Sequence, residues 1–144
     1  MAERDVAPDK LSIIVFSGTV DKMLAVATLA TGGAAMGQQV DIFLTFWGLH
    51  AFRKDQVRTN TRFTSEFADF AGPAVQAMQA KGIPHWIDTL HGAAEIGCVR
   101  VRACSMTMEL FGWKLEDLDD IVEDVVGVAG FVDEAKDAQI NRFI

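Results

Sequence analysis

Two short apolar runs with an apolar helical run between them constrain the fold of this chain most. Leu11 to Ser17 reads LSIIVFS and Val40 to Phe46 reads VDIFLTF. Runs of this length, rich in branched and aromatic side chains, suit strands buried on both faces, the usual state of strands in a parallel sheet. Between them Val20 to Met36 reads as a helix, with Gly37 as its natural stop. Strand, helix and strand within about 36 residues make a βαβ unit, whose crossover is right-handed and whose strands are parallel. Cys98 to Cys104 (CVRVRAC) is a third strand, followed by a helix over SMTMELF that Gly112 closes. Val125 to Gly130 is a fourth strand or a turn, Val132 to Asp137 a helix, and Gln139 to Ile144 a last strand. Elsewhere the pattern predicts an acidic helix over Leu115 to Asp124 and a helix over Ile87 to Ile96 capped by Asp88. Phe63 to Lys81 is amphipathic, with Phe63, Phe67, Phe70, Val75 and Met78 inward and a break at Gly72-Pro73. The fold class expected is α/β: a single domain over residues 1–144, an open parallel sheet with helices, and a flexible N-terminus over residues 1–10.

Composition narrows the partners. The 144 residues fit one domain that buries its own core. With 20 acidic and 13 basic side chains the net charge is −7, which repels phosphate backbones, so no nucleic acid is expected. Two cysteines are too few for a disulfide scaffold, and MAERDVAPDK lacks the apolar core of a signal peptide. A cytoplasmic location follows as the expectation. Met23 to Met36 carries no charge but spans only 14 residues, short of the roughly 20 that cross a bilayer. No stable membrane insertion is expected; the run fits a helix buried against a sheet or a subunit.

Cys104 is the leading candidate for chemistry. It stands where a strand ends and a helix begins, beside backbone N–H groups near Met106 and Thr107 that have no intrahelical partner. Those donors and the helix dipole favour a thiolate and could hold an anion on its sulfur. The alternative is an inert core thiol. Cys98 lies roughly 20 Å from Cys104 if the strand is extended, too far for a disulfide, and is either structural or a relay cysteine. Strand parity puts Arg100, Arg102 and Cys104 on one face. The two arginines either pair with acids across a subunit contact or lend Cys104 a positive field. Lys54, Arg58 and Arg62 share a face if their segment is helical, as a solvated face or an anion-attracting rim. Asp21 fits a helix cap.

Ligands of an open parallel sheet bind beyond the carboxyl ends of its strands. Here those ends are Ser17-Gly18-Thr19, Phe46-Trp47-Gly48 and Cys104-Ser105. The candidate substrate-binding residues are therefore Ser17, Gly18, Phe46, Trp47, Gly48, Ser105 and Met106. No cofactor is expected: there is no GxGxxG, Walker loop or CxxC, and His50, His85 and His91 show no metal spacing.

SGTVDK, the helix ending GGAAMG, VDIFLTFWGL, RACSMTMELFG and the closing GVAGFVDEAKDAQINRFI together resemble the DsrE/DsrF-like sulfur-relay proteins, in particular their DsrE2-type, peroxiredoxin-like branch. The likeness runs from Leu11 onward. It implies a flavodoxin-like fold around about five parallel strands and a homo-oligomer, often a trimer or a multiple of it such as a hexamer. It also implies a cysteine that carries sulfane sulfur, as persulfide or thiosulfonate, between donor and acceptor proteins. Cys104 matches that cysteine, and Cys98 falls at a variable position. The segment from Gly48 to Ile83 departs most from the family pattern. The function expected is a sulfur carrier or sulfurtransferase working through Cys104, against a non-catalytic oligomeric binding module. A peroxidase reading lacks the Pro-Thr-x-x-Cys setting.

Overall fold

A computed structural model describes residues 8–144. Its five strands are β1 (Lys10–Val15), β2 (Gln39–Leu44), β3 (Val99–Cys104), β4 (Val122–Val126) and β5 (Ile140–Phe143). They form one sheet in the order β4-β3-β2-β1-β5, parallel throughout. The helices are α1 (Val20–Ala35), α2 (Phe46–Ala51), α3 (Ala71–Ala80), α4 (Trp86–Ile96), α5 (Ser105–Phe111) and α6 (Val128–Ala135). The chain steps outward from β1 to β4 and then returns to lay β5 on the other side of β1, so the strand order reverses at β1.

Register sets the two faces. Leu11, Ile13 and Val15 sit beside Val40, Ile42 and Leu44, which sit beside Val99, Val101 and Ala103. Successive side chains of a strand alternate faces, so these residues share one. Met23, Val26, Ala27 and Ala30 of α1 and Ile87, Leu90 and Ala93 of α4 bury it. One side of α1 is thus buried between sheet and α4 inside one chain, while Leu29 and the capping Met36 stay exposed. The opposite face carries Ile14, Phe43 and Cys104, and α6 packs there through Phe131.

The structure corrects several sequence expectations. The first two strands end at Val15 and Leu44, two residues early in each case, because Phe16 and Ser17 form a loop and Phe46 opens α2. Lys10, assigned to a flexible N-terminus, is part of β1. Its backbone N–H donates to Gln139 Oε1 (2.7 Å) and its Nζ to the Glu134 carbonyl (2.9 Å). Pro8 and Asp9 precede the strand as exposed residues without regular structure, and residues 1–7 lie outside the described residues. The acidic segment is no helix: a single 3-10 turn (Leu115–Asp117) leads into a loop and β4. Its acids bind nearby amides instead, Asp117 taking the Lys114 N–H and Asp119 the Ile121 N–H. Helix α6 begins at Val128, four residues before its expected start.

Phe63 to Lys81 splits into a 3-10 turn (Ser65–Phe70) and α3. The break precedes Ala71, since Pro73 fits the first turn of a helix. No residue of either piece is buried, and Phe67 and Phe70 are exposed rather than inward. Helix α4 is capped by His85, whose Nδ1 accepts the Ile87 N–H at 3.2 Å, whereas Asp88 pairs with Arg58 at 2.6 Å. Lys54, Arg58 and Arg62 do not share a helical face: residues 54–59 are turns, and Lys54 pairs with Asp120. Among the described residues no helix is long and apolar enough to cross a membrane.

Candidate functional site

Cys104 is the last residue of β3 and the residue before α5. Its side chain is 3% exposed and packs with Phe43 and Phe131, with Ile14, Val126 and Ala135 against them. Phe43 and Phe131 stack with ring centroids 4.6 Å apart. The thiol therefore sits in a soft apolar seat roofed by α6. Cys98 is exposed, precedes β3, and forms no disulfide.

Arg100 and Arg102 share the Cys104 face, as strand parity requires, and their partners lie in the same chain. Arg100 Nε reaches Asp41 Oδ1 at 2.8 Å, and Arg102 forms two hydrogen bonds to the Glu134 carboxylate of α6. Arg100 also approaches Glu134 at 3.5 Å. The arginines thus need no subunit contact to be paired. Burial works to raise the pKa of Asp41. Hydrogen bonds from Arg100 and Gln39 and the fields of Arg100 and Arg102 outweigh it and hold the carboxyl below its ordinary value. Glu134 is held low chiefly by its hydrogen bond from Arg102.

The strand exits pack on one another at the carboxyl edge. A Cβ on Gly18 would lie 2.2 Å from the Trp47 carbonyl oxygen, and one on Gly48 would lie 2.2 Å from the Val15 carbonyl oxygen. Both glycines let the β1 and β2 exits touch. Between them Phe46 takes φ 47°, a left-handed conformation that costs a bulky residue roughly 1–2 kcal/mol. Buried Thr107 of α5 holds the turn: its Oγ1 accepts the Phe46 N–H at 3.2 Å and lies 3.2 Å from Thr45 Oγ1. Aromatic rings continue along this edge. Phe143 meets Phe16, Phe16 meets Phe46, Phe46 and Trp47 meet Phe111, and Phe111 stacks on Trp113 at 4.7 Å. Arg53 lies over Trp113, 5.0 Å from its centroid.

The sequence candidates fall into two groups. Ser17, Gly18 and Trp47 line one cavity, joined by Thr19, His50 and Arg62. Phe46 and Gly48 support its walls through the contacts above. Cys104 does not line that cavity; its side chain faces α6. Ser105 is half-buried and Met106 exposed at the start of α5. Asp21, read as a cap, accepts the Thr64 hydroxyl at 2.6 Å and tethers the distant loop that carries Thr64. Sequence reasoning missed Phe111 and Glu134, named Thr107 only for its backbone N–H, and weighed His50 only as a metal ligand. Phe111 and Glu134 carry no sequence signal that separates them from ordinary helix residues. His50, four residues after Phe46, could have been found by projecting the β2 exit as a helix. Among the described residues no three His, Cys, Asp or Glu side chains gather to hold a metal ion.

The DsrE/DsrF/DrsH-like family model matches residues 7–75 and 66–143. The uncharacterized protein YrkE of Bacillus subtilis (strain 168) is 31% identical over 156 aligned residues, covering 94% of this chain and 96% of that protein. The sulfur carrier protein DsrE2 of Allochromatium vinosum is 28% identical, covering 94% of this chain and 98% of that protein. Among solved structures, the protein of unknown function MTH1491 from Methanobacterium thermoautotrophicum shares the fold. Its TM-score is 0.57 at 16% identity, over 93% of this chain and 98% of that one.

Proposed function

The chain belongs to the DsrE/DsrF/DrsH-like family, and from that membership we propose that it is a sulfur carrier of sulfurtransferase type, taking up sulfane sulfur on Cys104 and passing it on. The observation that carries the reading is the seat of Cys104: a thiol at the end of a central strand, enclosed by Phe43, Phe131 and Ile14. Polarisable sulfur is at home among aromatic and aliphatic groups. A persulfide held there is kept from water and stray thiols, as enclosure of a reactive intermediate requires.

The transfer is thiol exchange. The Cys104 thiolate attacks the outer sulfur of a donor persulfide; the new S–S bond gives Cys104–S–SH, and the donor leaves as a thiolate. An acceptor thiolate then attacks the outer sulfur of Cys104–S–SH, and Cys104 leaves as thiolate. No net oxidation occurs. Attack on tetrathionate runs likewise, expelling thiosulfate and leaving a thiosulfonate on Cys104. Donor and acceptor proteins are the partners this requires, and a homo-oligomer, trimer or hexamer, is the assembly proposed.

The near-complete burial of Cys104 also favours a second reading, an oligomeric ligand-binding or interaction module in which Cys104 is a core thiol. Intact mass measured after incubation with polysulfide, thiosulfate or tetrathionate separates the two. The carrier gains the mass of sulfur or a thiosulfonate group, Cys104→Ser abolishes the gain, and Cys98→Ser keeps most of it. The reverse pattern moves the role to Cys98, and no gain with any donor leaves the module.

A further inference from the structure

The cavity at the β1 exit has its own chemistry. Its volume is about 280 Å³, and Ser17, Gly18, Thr19, Trp47, His50 and Arg62 line it. Every side chain among them except the glycine can donate a hydrogen bond, and none is a carboxylate. That is unusual in a chain with 20 acids and a net charge of −7. Arg53, Arg58, Arg100 and Arg102 each pair with an Asp or Glu. Among the described residues Arg62 has no acid within salt-bridge distance; Arg142, on β5, is the other arginine so left.

Arg62 is exposed, yet its backbone is fixed. The Arg62 carbonyl accepts the Val20 N–H at 2.7 Å, and the Asn60 side chain donates to the Gly18 carbonyl at 2.7 Å. These two bonds pin the loop at 60–62 onto the turn between β1 and α1. The nearby Asp21 carboxylate is not part of the lining; it is engaged by the Thr64 hydroxyl and by the hydroxyl of Thr19. Burial first, and then the charges of Arg53 and Arg62, hold the His50 pKa below its ordinary value. That favours the neutral imidazole, which offers one ring N–H, beside the positive field of the guanidiniums. The cavity also stands beyond the carboxyl end of the strand at which the order reverses, where open α/β sheets bind ligands.

We propose that this cavity is a binding site for a small oxyanion, with the Arg62 guanidinium on the anion, the Ser17 and His50 donors around it, and the Trp47 indole as its wall. The site is independent of the Cys104 chemistry, since the thiol faces α6.

Calorimetric titration with sulfate, thiosulfate and phosphate, backed by Trp47 fluorescence, tests it. Saturable one-site binding of at least one of the three is expected, and their order of affinity tells a sulfur-oxyanion site from a phosphate site. Arg62→Gln should weaken that binding about tenfold or more, the scale of one charge-assisted hydrogen bond. Arg142→Gln should leave it unchanged, and Cys104→Ser should bind as the native protein does. No saturable binding, equal weakening by both arginine variants, or loss in Cys104→Ser would each overturn the proposal. Among the described residues the Arg62 side chain makes no hydrogen bond or ion pair, so its replacement leaves the fold in place.

Discussion

Asp41 shows what a single side chain contributes on the second face of this sheet. It is buried at the centre of the sheet, lies in register with Arg100, and is held below its ordinary pKa by the Arg100 and Gln39 hydrogen bonds. Its folded pKa is below its unfolded one, so its ionised form stabilises the fold at every pH above the unfolded value, near 3.9. That contribution fades as pH falls through the folded value. Asp41→Asn is expected to lose about 1–3 kcal/mol at pH 7, the scale of a charged hydrogen bond broken in a buried site. In urea titrations the gap to the native protein should narrow below about pH 4. A gap that stays constant on acidification would locate the loss in packing instead of charge. Alternation alone put Arg100, Arg102 and Cys104 on one face. The partners were not legible, because Asp41 meets Arg100 only through the β2–β3 register and Glu134 meets Arg102 only once α6 is laid across the sheet.

Helix α6 is short, and two kinds of contact hold it: the Phe131–Phe43 stack and the Glu134–Arg102 ion pair. The same helix roofs Cys104, so reaction at the thiol requires α6 to lift. An aromatic disulfide reagent, followed by the absorbance of the released thiol, should modify exposed Cys98 rapidly and Cys104 slowly. Phe131→Ala removes a buried side chain worth about 3–5 kcal/mol and should speed Cys104 labelling by about tenfold or more. Glu134→Gln, which loses charge but keeps shape, should speed it by a smaller factor, with the Cys98 rate unmoved in both. Equal rates for the two cysteines in the native protein would remove α6 as a barrier. At this scale β1, α1, β2, β3 and α5 were legible, because each has a strong period and a glycine or polar stop. Helix α6 and β4 were placed late, because the acids before them bind local amides in a loop where density of charge alone suggests a helix face. The arm at 63–81 was read as inward-facing from its phenylalanines, yet no core lies beneath them.

Taken whole, the molecule satisfies internally much of what pointed to other subunits: the inner side of α1 is covered by the sheet and α4, and the arginines are paired with Asp41 and Glu134. At the carboxyl edge Trp47 is 51% exposed, Met106 57% and Phe143 69%, while Met36, Phe67, Phe70 and Ile96 are exposed elsewhere. Large apolar groups gathered at one end mark an association surface, and the proposed homo-oligomer is expected to bury them. Sedimentation at micromolar concentration should give a multiple of 15.7 kDa, and Trp47→Lys should lower it; a native protein that sediments only as a monomer would refute the assembly. The strand exits that carry the candidate residues were legible, whereas the division of those candidates between the β1 cavity and the roofed thiol depends on which way each side chain turns. The position of β5 also has a consequence in time. Ile144 lends its carbonyl to the Phe16 and Ser17 amides, so the wall of the oxyanion cavity is braced by a segment made long after it. About 125 residues separate β1 from β5. At a synthesis rate of roughly 5–20 residues per second, the outer edge of β1 waits about 6–25 s for its neighbour. During that interval each nascent chain presents an open strand to its neighbours on the same messenger, and only the arrival of β5 withdraws it.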